Sequence, residues 1–129
     1  MPNCGHAVGG RPQALSSLAA FARAVAAGLP LPTVTPCSAE EPGGLALQVG
    51  SDPAPVAAKL WVATSPARDF REAEWRPAGL ACSDGRWRAQ IARPGSGYVA
   101  TYAQLTFTVA GIPLHTTTPA RVVAGAPTG

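Results

Sequence analysis

Residues 98–109, YVATYAQLTFTV, settle how the rest of the chain is read. Tyr98, Ala100 and Tyr102 alternate with Val99, Thr101 and Ala103, and β-branched and aromatic residues dominate the run, so it reads as a strand with two different faces. RPGSG (93–97) precedes it and VAG (109–111) follows it, and both supply turn geometry. Further runs of the same kind lie on either side: LALQV (45–49), VAAKLWVAT (56–64), REAEWRP (71–77), RWRAQIA (86–92), IPLHTTT (112–118) and a short RVV (121–123). SDPAP, SPARD and SDG separate them. Short strands with turn signals every 8–12 residues or so are the pattern of an antiparallel sandwich. The expectation is therefore an immunoglobulin- or fibronectin-like β-sandwich over residues 44–125.

Its expected core is Leu47, Leu60, Val62, Trp75, Trp87, Ile91, Leu105 and Phe107. Trp61, Trp75 and Trp87 are assigned to packing ahead of a sugar-stacking platform, because the domain is short of large aliphatic residues. A tyrosine near the start of a penultimate strand often anchors its hydroxyl to upstream backbone, a role open to Tyr98 or Tyr102.

Upstream the period changes. In RPQALSSLAAFARAVAAG (11–28), Leu15, Leu18, Phe21 with Ala22, Val25 and Leu29 recur at helical spacing, with Gln13, Ser17 and Arg23 as polar interruptions. Pro12 suits the first helical position and Gly28 the residue just past the end. LPLPTVTP (29–36) then forbids helix, and residues 29–43 are expected to form a stiff Pro-rich linker. The expected organisation is thus 1–28 with the helix, 29–43 as linker and 44–125 as sandwich.

Composition narrows the function classes. The 129 residues suffice for one domain, and 47% hydrophobic with 13% charged residues makes a globular chain. Nine arginines against one lysine give a net charge of only +3 with no basic cluster interleaved with aromatics, which argues against nucleic acid. No apolar run reaches the roughly 20 residues of a membrane helix, and no signal-peptide pattern is present. Cys4, Cys37 and Cys82 lie far apart without zinc spacing, so neither a metal nor another cofactor is expected.

Several pieces taken in order resemble one family. PNCGH (2–6) followed by Gly9–Gly10, the helix exit AFARAVAAGLPLP (20–32), LWVATSPARDFREAEW (60–75), GYVATYAQLTF (97–107) and HTTTPARVV (115–123) look like the C-terminal part of the PhoPQ-activated pathogenicity-related proteins. The most specific are Trp61, Ala63, Thr64, Arg68, Asp69, Phe70 and Arg71, and then Gly97, Tyr98, Ala100 and Tyr102; the resemblance extends over nearly the whole chain. It implies the end of an α/β-hydrolase-like domain followed by an immunoglobulin-like sandwich, from a bacterial protein that is periplasmic or secreted at full length. His6 would stand where a Ser/Asp/His triad keeps its histidine, which comes last in such domains.

The sequence holds no G-x-S-x-G elbow, so His6 is expected to be a vestigial triad histidine, idle without a serine and an acid. Cys4 beside His6 is a poor nucleophile pair, since two residues of separation rarely give the required geometry. In the loop Arg68, Asp69, Phe70, Arg71, two guanidinium groups beside a carboxylate offer a grip on an anion. Internal satisfaction of the loop is the simpler reading. The expected function is a non-catalytic C-terminal fragment of the family, whose partner is the missing hydrolase-like domain or a second copy through helix 12–28. The alternative is a free-standing β-sandwich that binds surface glycans or a protein. A small esterase built on His6 ranks last.

Overall fold

The computed structural model describes residues 12–126. Within them the chain forms one helix, α1 (Pro12–Ala27), and nine strands: β1 (Thr33–Glu41), β2 (Gly44–Asp52), β3 (Ala57–Ser65), β4 (Arg76–Ala78), β5 (Ala81–Ser83), β6 (Arg86–Ala92), β7 (Tyr98–Val109), β8 (Ile112–Thr117) and β9 (Arg121–Ala124). Pro12 opens α1. At its end Gly28 takes φ 67°, its N–H donates to the Val25 carbonyl at 3.3 Å, and the Leu29 N–H donates to Ala24 at 2.9 Å. That bond pair satisfies carbonyls the helix would otherwise leave open.

The strands make two antiparallel sheets, one ordered β1-β2-β6-β5 and the other β4-β3-β7-β8, with β9 also on β7. β7 is the spine of the second sheet. It pairs with β3 along one side, Tyr98↔Ser65 to Thr106↔Ala57, and on the other with β9 at its start and β8 at its end. Inward residues of both sheets share one apolar cluster, to which Leu45, Leu47, Val49 and Ile91 come from the first sheet and Leu60, Val99, Leu105 and Phe107 from the second. The result is a mainly β, sandwich-like fold, in agreement with the sequence pattern.

Three expectations need correction. The stretch 33–41, assigned to a linker, is β1, paired with β2 over nine positions from Thr33↔Asp52 to Glu41↔Gly44. Its Pro36 is tolerated because β1 is an edge strand. Trp75, assigned to the core, lies instead on the outside of the second sheet, where its ring meets Tyr102 at 5.0 Å. The strand expected over 71–77 shrinks to β4, since the loop before it folds back on the sheet. Of the other expected core residues, Val62 and Trp87 are half-buried against the cluster and the rest are buried.

Arg93 ties one end of the sandwich together. Its guanidinium donates to the carbonyls of Pro42 (3.0 Å), Glu41 (2.9 Å) and Ala124 (2.8 Å) and pairs with Glu40 at 3.0 Å, so it bridges the β1–β2 turn, the end of β6 and β9. The planar fork makes this possible, and lysine has no equivalent. Arg93→Ala is expected to destabilise by about 2 kcal/mol, because charge-assisted bonds are lost and carbonyls orphaned. Arg93→Lys should recover less than half of that in urea denaturation.

Candidate functional site

The sequence-nominated positions fall into three groups. His6 and Cys4 lie outside the described residues. The loop residues Arg68, Asp69, Phe70 and Arg71 connect β3 to β4 on the outside of the second sheet. Asp69 accepts the Arg71 backbone N–H at 3.0 Å and is held in a two-pronged pair by the Arg71 guanidinium. The Arg71 hydrogen bonds hold the Asp69 carboxyl at about 2, below its ordinary 3.8. Arg68 makes no ion pair among the described residues, so of the two guanidinium groups it is that of Arg71 which holds the Asp69 carboxylate. The Ser65 hydroxyl closes the loop by donating to the Asp69 carbonyl at 2.7 Å.

Phe70 and Trp75 carry this loop onto the sheet, with Phe70 meeting Trp75 at 6.2 Å and Trp75 meeting Tyr102 at 5.0 Å. Next to them runs a polar row. Trp61 Nε1 donates to Gln104 Oε1 at 2.9 Å, and the Lys59 ammonium stands 5.3 Å from the Trp61 ring centre. An indole N–H only donates, so the Gln104 oxygen is fixed there and its NH2 turns to His115 Nδ1 at 3.4 Å. The Thr106 hydroxyl lies 3.0 Å from the same nitrogen. Nδ1 is therefore an acceptor, and the neutral ring carries its proton on Nε2. Burial pushes the His115 pKa down.

A neutral, half-buried imidazole makes stability depend on pH with a definite sign. The unfolded chain takes up its proton near 6.5 and the folded one only at lower pH, so the contribution is complete above 6.5 and lost as pH falls below it. The thermal midpoint is expected to decline from pH 7 to 5. In His115→Gln that slope should flatten. Tyr98, Tyr102 and Trp61 are half-buried, and Trp87 packs against the core beside its strand partner Val49.

The third group is the helix, whose packing on the sandwich uses a face other than the large apolar stripe. α1 lies on β8 and β7 through its small side chains: Ala20 and Ala24 are fully buried and the Ser17 hydroxyl accepts the His115 backbone N–H at 2.9 Å. The large residues of the apolar stripe face away. Leu15, Leu18, Phe21, Val25 and Leu29 are 45–66% exposed. Alanine permits the closest approach of a helix to a strand, so the narrow face docks and the broad one is left over. The sequence signal for this surface was the stripe itself; which face would dock needed the tertiary structure.

No group of three His, Cys, Asp or Glu side chains able to hold a metal occurs among the described residues, and no helix there is long and apolar enough to cross a membrane. No curated protein and no solved structure matches the chain. The family model described as PhoPQ-activated pathogenicity-related protein matches residues 1–71, from the histidine-bearing stretch through α1, β1, β2 and β3 to Arg71. The GYVATYAQLTF and HTTTPARVV pieces lie beyond that match. With more than half of its length matched, this chain belongs to the PhoPQ-activated pathogenicity-related protein family.

Proposed function

We propose that the chain serves as the C-terminal, non-catalytic region of a PhoPQ-activated pathogenicity-related protein, whose main domain is α/β-hydrolase-like and is exported. The carrying observation is the double-sided helix. Its alanine face is committed to β8, while Leu15, Leu18, Phe21, Val25 and Leu29 form a continuous exposed stripe. Exposed apolar surface of that extent marks an interface. The hydrolase-like domain covers it in the complete protein, and the helix acts as the joint between that domain and the sandwich. The strand order β1-β2-β6-β5 against β4-β3-β7-β8 supports an immunoglobulin-like identity for the sandwich.

The test is Leu18→Asp with Val25→Asp. Both side chains point away from the sandwich, so the thermal midpoint should change by only a few degrees. Binding to a separately produced hydrolase-like domain, measured by sedimentation velocity, is expected to weaken at least tenfold, about 1.4 kcal/mol. Where the wild-type chain forms a dimer through the same stripe, the double variant should be monomeric. Unchanged association would refute the interface. The chain alone is expected to hydrolyse p-nitrophenyl esters at the background rate, and a measurable rate abolished by His6→Ala would show a working site.

A further inference from the structure

Among the described strands, β1 is the longest free edge. Residues Thr33–Glu41 pair with β2 along one side only. The other edges offer less: β4 and β5 have three residues each and β9 four, and on β8 the outward His115 N–H is taken by Ser17 of α1. The two-residue turn of Pro42 and Gly43 makes Glu41↔Gly44 a hydrogen-bonded pair. Alternation then turns the backbone groups of Thr33, Thr35, Cys37, Ala39 and Glu41 toward β2, and those of Val34, Pro36, Ser38 and Glu40 away from it. These outward groups have no hydrogen-bond partner among the described residues. A row of this kind is a template for another strand.

The edge is complementary to itself. Cys37 is the middle residue of β1, so an antiparallel two-fold axis there sets the whole strand against its own copy. Val34 then faces Glu40 of the second copy, and each N–H finds the other's carbonyl. Pro36 faces Ser38 of the second copy, whose N–H donates to the proline carbonyl. The missing proline N–H leaves only the Ser38 carbonyl without a partner, and the two prolines are staggered across the axis. Charge selects the same direction. Antiparallel pairing lays Glu40 and Glu41 against uncharged Val34 and Thr33, whereas a parallel copy would stack carboxylates. Arg93 already meets Glu40 at 3.0 Å. Cys37 itself is exposed and falls at a non-hydrogen-bonded position, where opposed Cα atoms stand about 4.5 Å apart. A disulfide spans that distance.

We infer that two copies of this chain associate edge to edge through β1, about a two-fold axis at Cys37, and so join their first sheets into one. A single pair of strand edges buries less than the roughly 1,200 Å² of a stable interface, so the contact is transient and is read by trapping. No residue of β1 belongs to the helix stripe, so this inference and the joint proposed for α1 stand or fall separately.

Disulfide trapping with oxidised glutathione tests the register. Every chain carries Cys4→Ser and Cys82→Ser, with Leu18→Asp and Val25→Asp to silence the helix stripe. With Cys37 as the remaining thiol, a covalent dimer is expected: two thiols are oxidised to one disulfide while one oxidised glutathione is reduced to two glutathione thiols. Ser38→Pro removes an outward N–H and no bond to β2, and should slow trapping at least tenfold with the thermal midpoint within a few degrees. With Cys37→Ser, chains bearing Thr35→Cys or Ala39→Cys should trap poorly alone, because each thiol lies four residues, roughly 13 Å, from the point facing its own copy. Mixed together they should trap at least tenfold faster, since position 35 faces position 39. A mixture no faster than either chain alone, or undiminished trapping in folded Ser38→Pro, would overturn the inference.

Discussion

Phe107→Ala is expected to destabilise the chain by about 3–5 kcal/mol, the range for removing a buried aromatic ring without full collapse of the space it leaves. Phe107 is 1% exposed, lies on the inward face of β7 and sits opposite Leu114 of β8. The same apolar cluster takes in Ala20 and Ala24 of α1. A cavity there loosens β8, and β8 is the strand on which the helix rests. Helical ellipticity at 222 nm and tryptophan fluorescence should therefore fall in one transition, shifted down together. Two separated transitions in the variant would mean that α1 is held independently of the sandwich.

That coupling changes how the helix is to be understood. The sequence divides the chain at a Pro-rich stretch and treats the helix as foreign to the sandwich. In the fold the division disappears: residues 33–41 are a nine-residue edge strand, and the helix closes one end of the apolar cluster. The helix nonetheless keeps its larger apolar face for something else. A helix with one face in a core and the other exposed is the arrangement that the proposed joint to a second domain requires.

What was legible in the sequence was local. β6 and β7 fall where alternation and turn residues place them: β6 alternates exposed with covered residues, β7 alternates between the apolar cluster and a largely covered outer face, and each is bounded by strong turn signals. β5, residues Ala81–Ser83, escaped notice because three exposed residues carry no period. β1 escaped because an edge strand tolerates a proline that a central strand would not. Trp75 was misplaced because a large aromatic is as well covered by a loop folding over a sheet as by the core, and only Tyr102 and Phe70 reveal which occurred. Arg93 gave no signal at all, since its partners lie 31 to 53 residues away.

Gly44→Ala is expected to be as severe as the loss of Phe107, about 3–5 kcal/mol, for a reason that involves no cavity. Gly44 opens β2 immediately after the two-residue turn from β1, with φ 146°, a region that residues with a side chain rarely adopt. A Cβ there would run into the backbone carbonyl oxygen of Ile91 and lie 2.8 Å from the Arg93 nitrogen. Neither obstacle is a flexible side chain, so the β1–β2 turn must move away from β6 to admit the methyl group. Moving it breaks the Arg93 N–H bond to the Gly43 carbonyl, 2.9 Å long, and draws the Pro42 and Glu41 carbonyls out of reach of the Arg93 guanidinium. Strain and lost hydrogen bonds share these atoms, so the penalties of Gly44→Ala and Arg93→Ala overlap. The double variant is expected to be less destabilised than the sum of the two single variants by at least about 1 kcal/mol, measured as urea midpoints at equal m-value. Strict additivity would mean that the glycine and the arginine act on different parts of the fold.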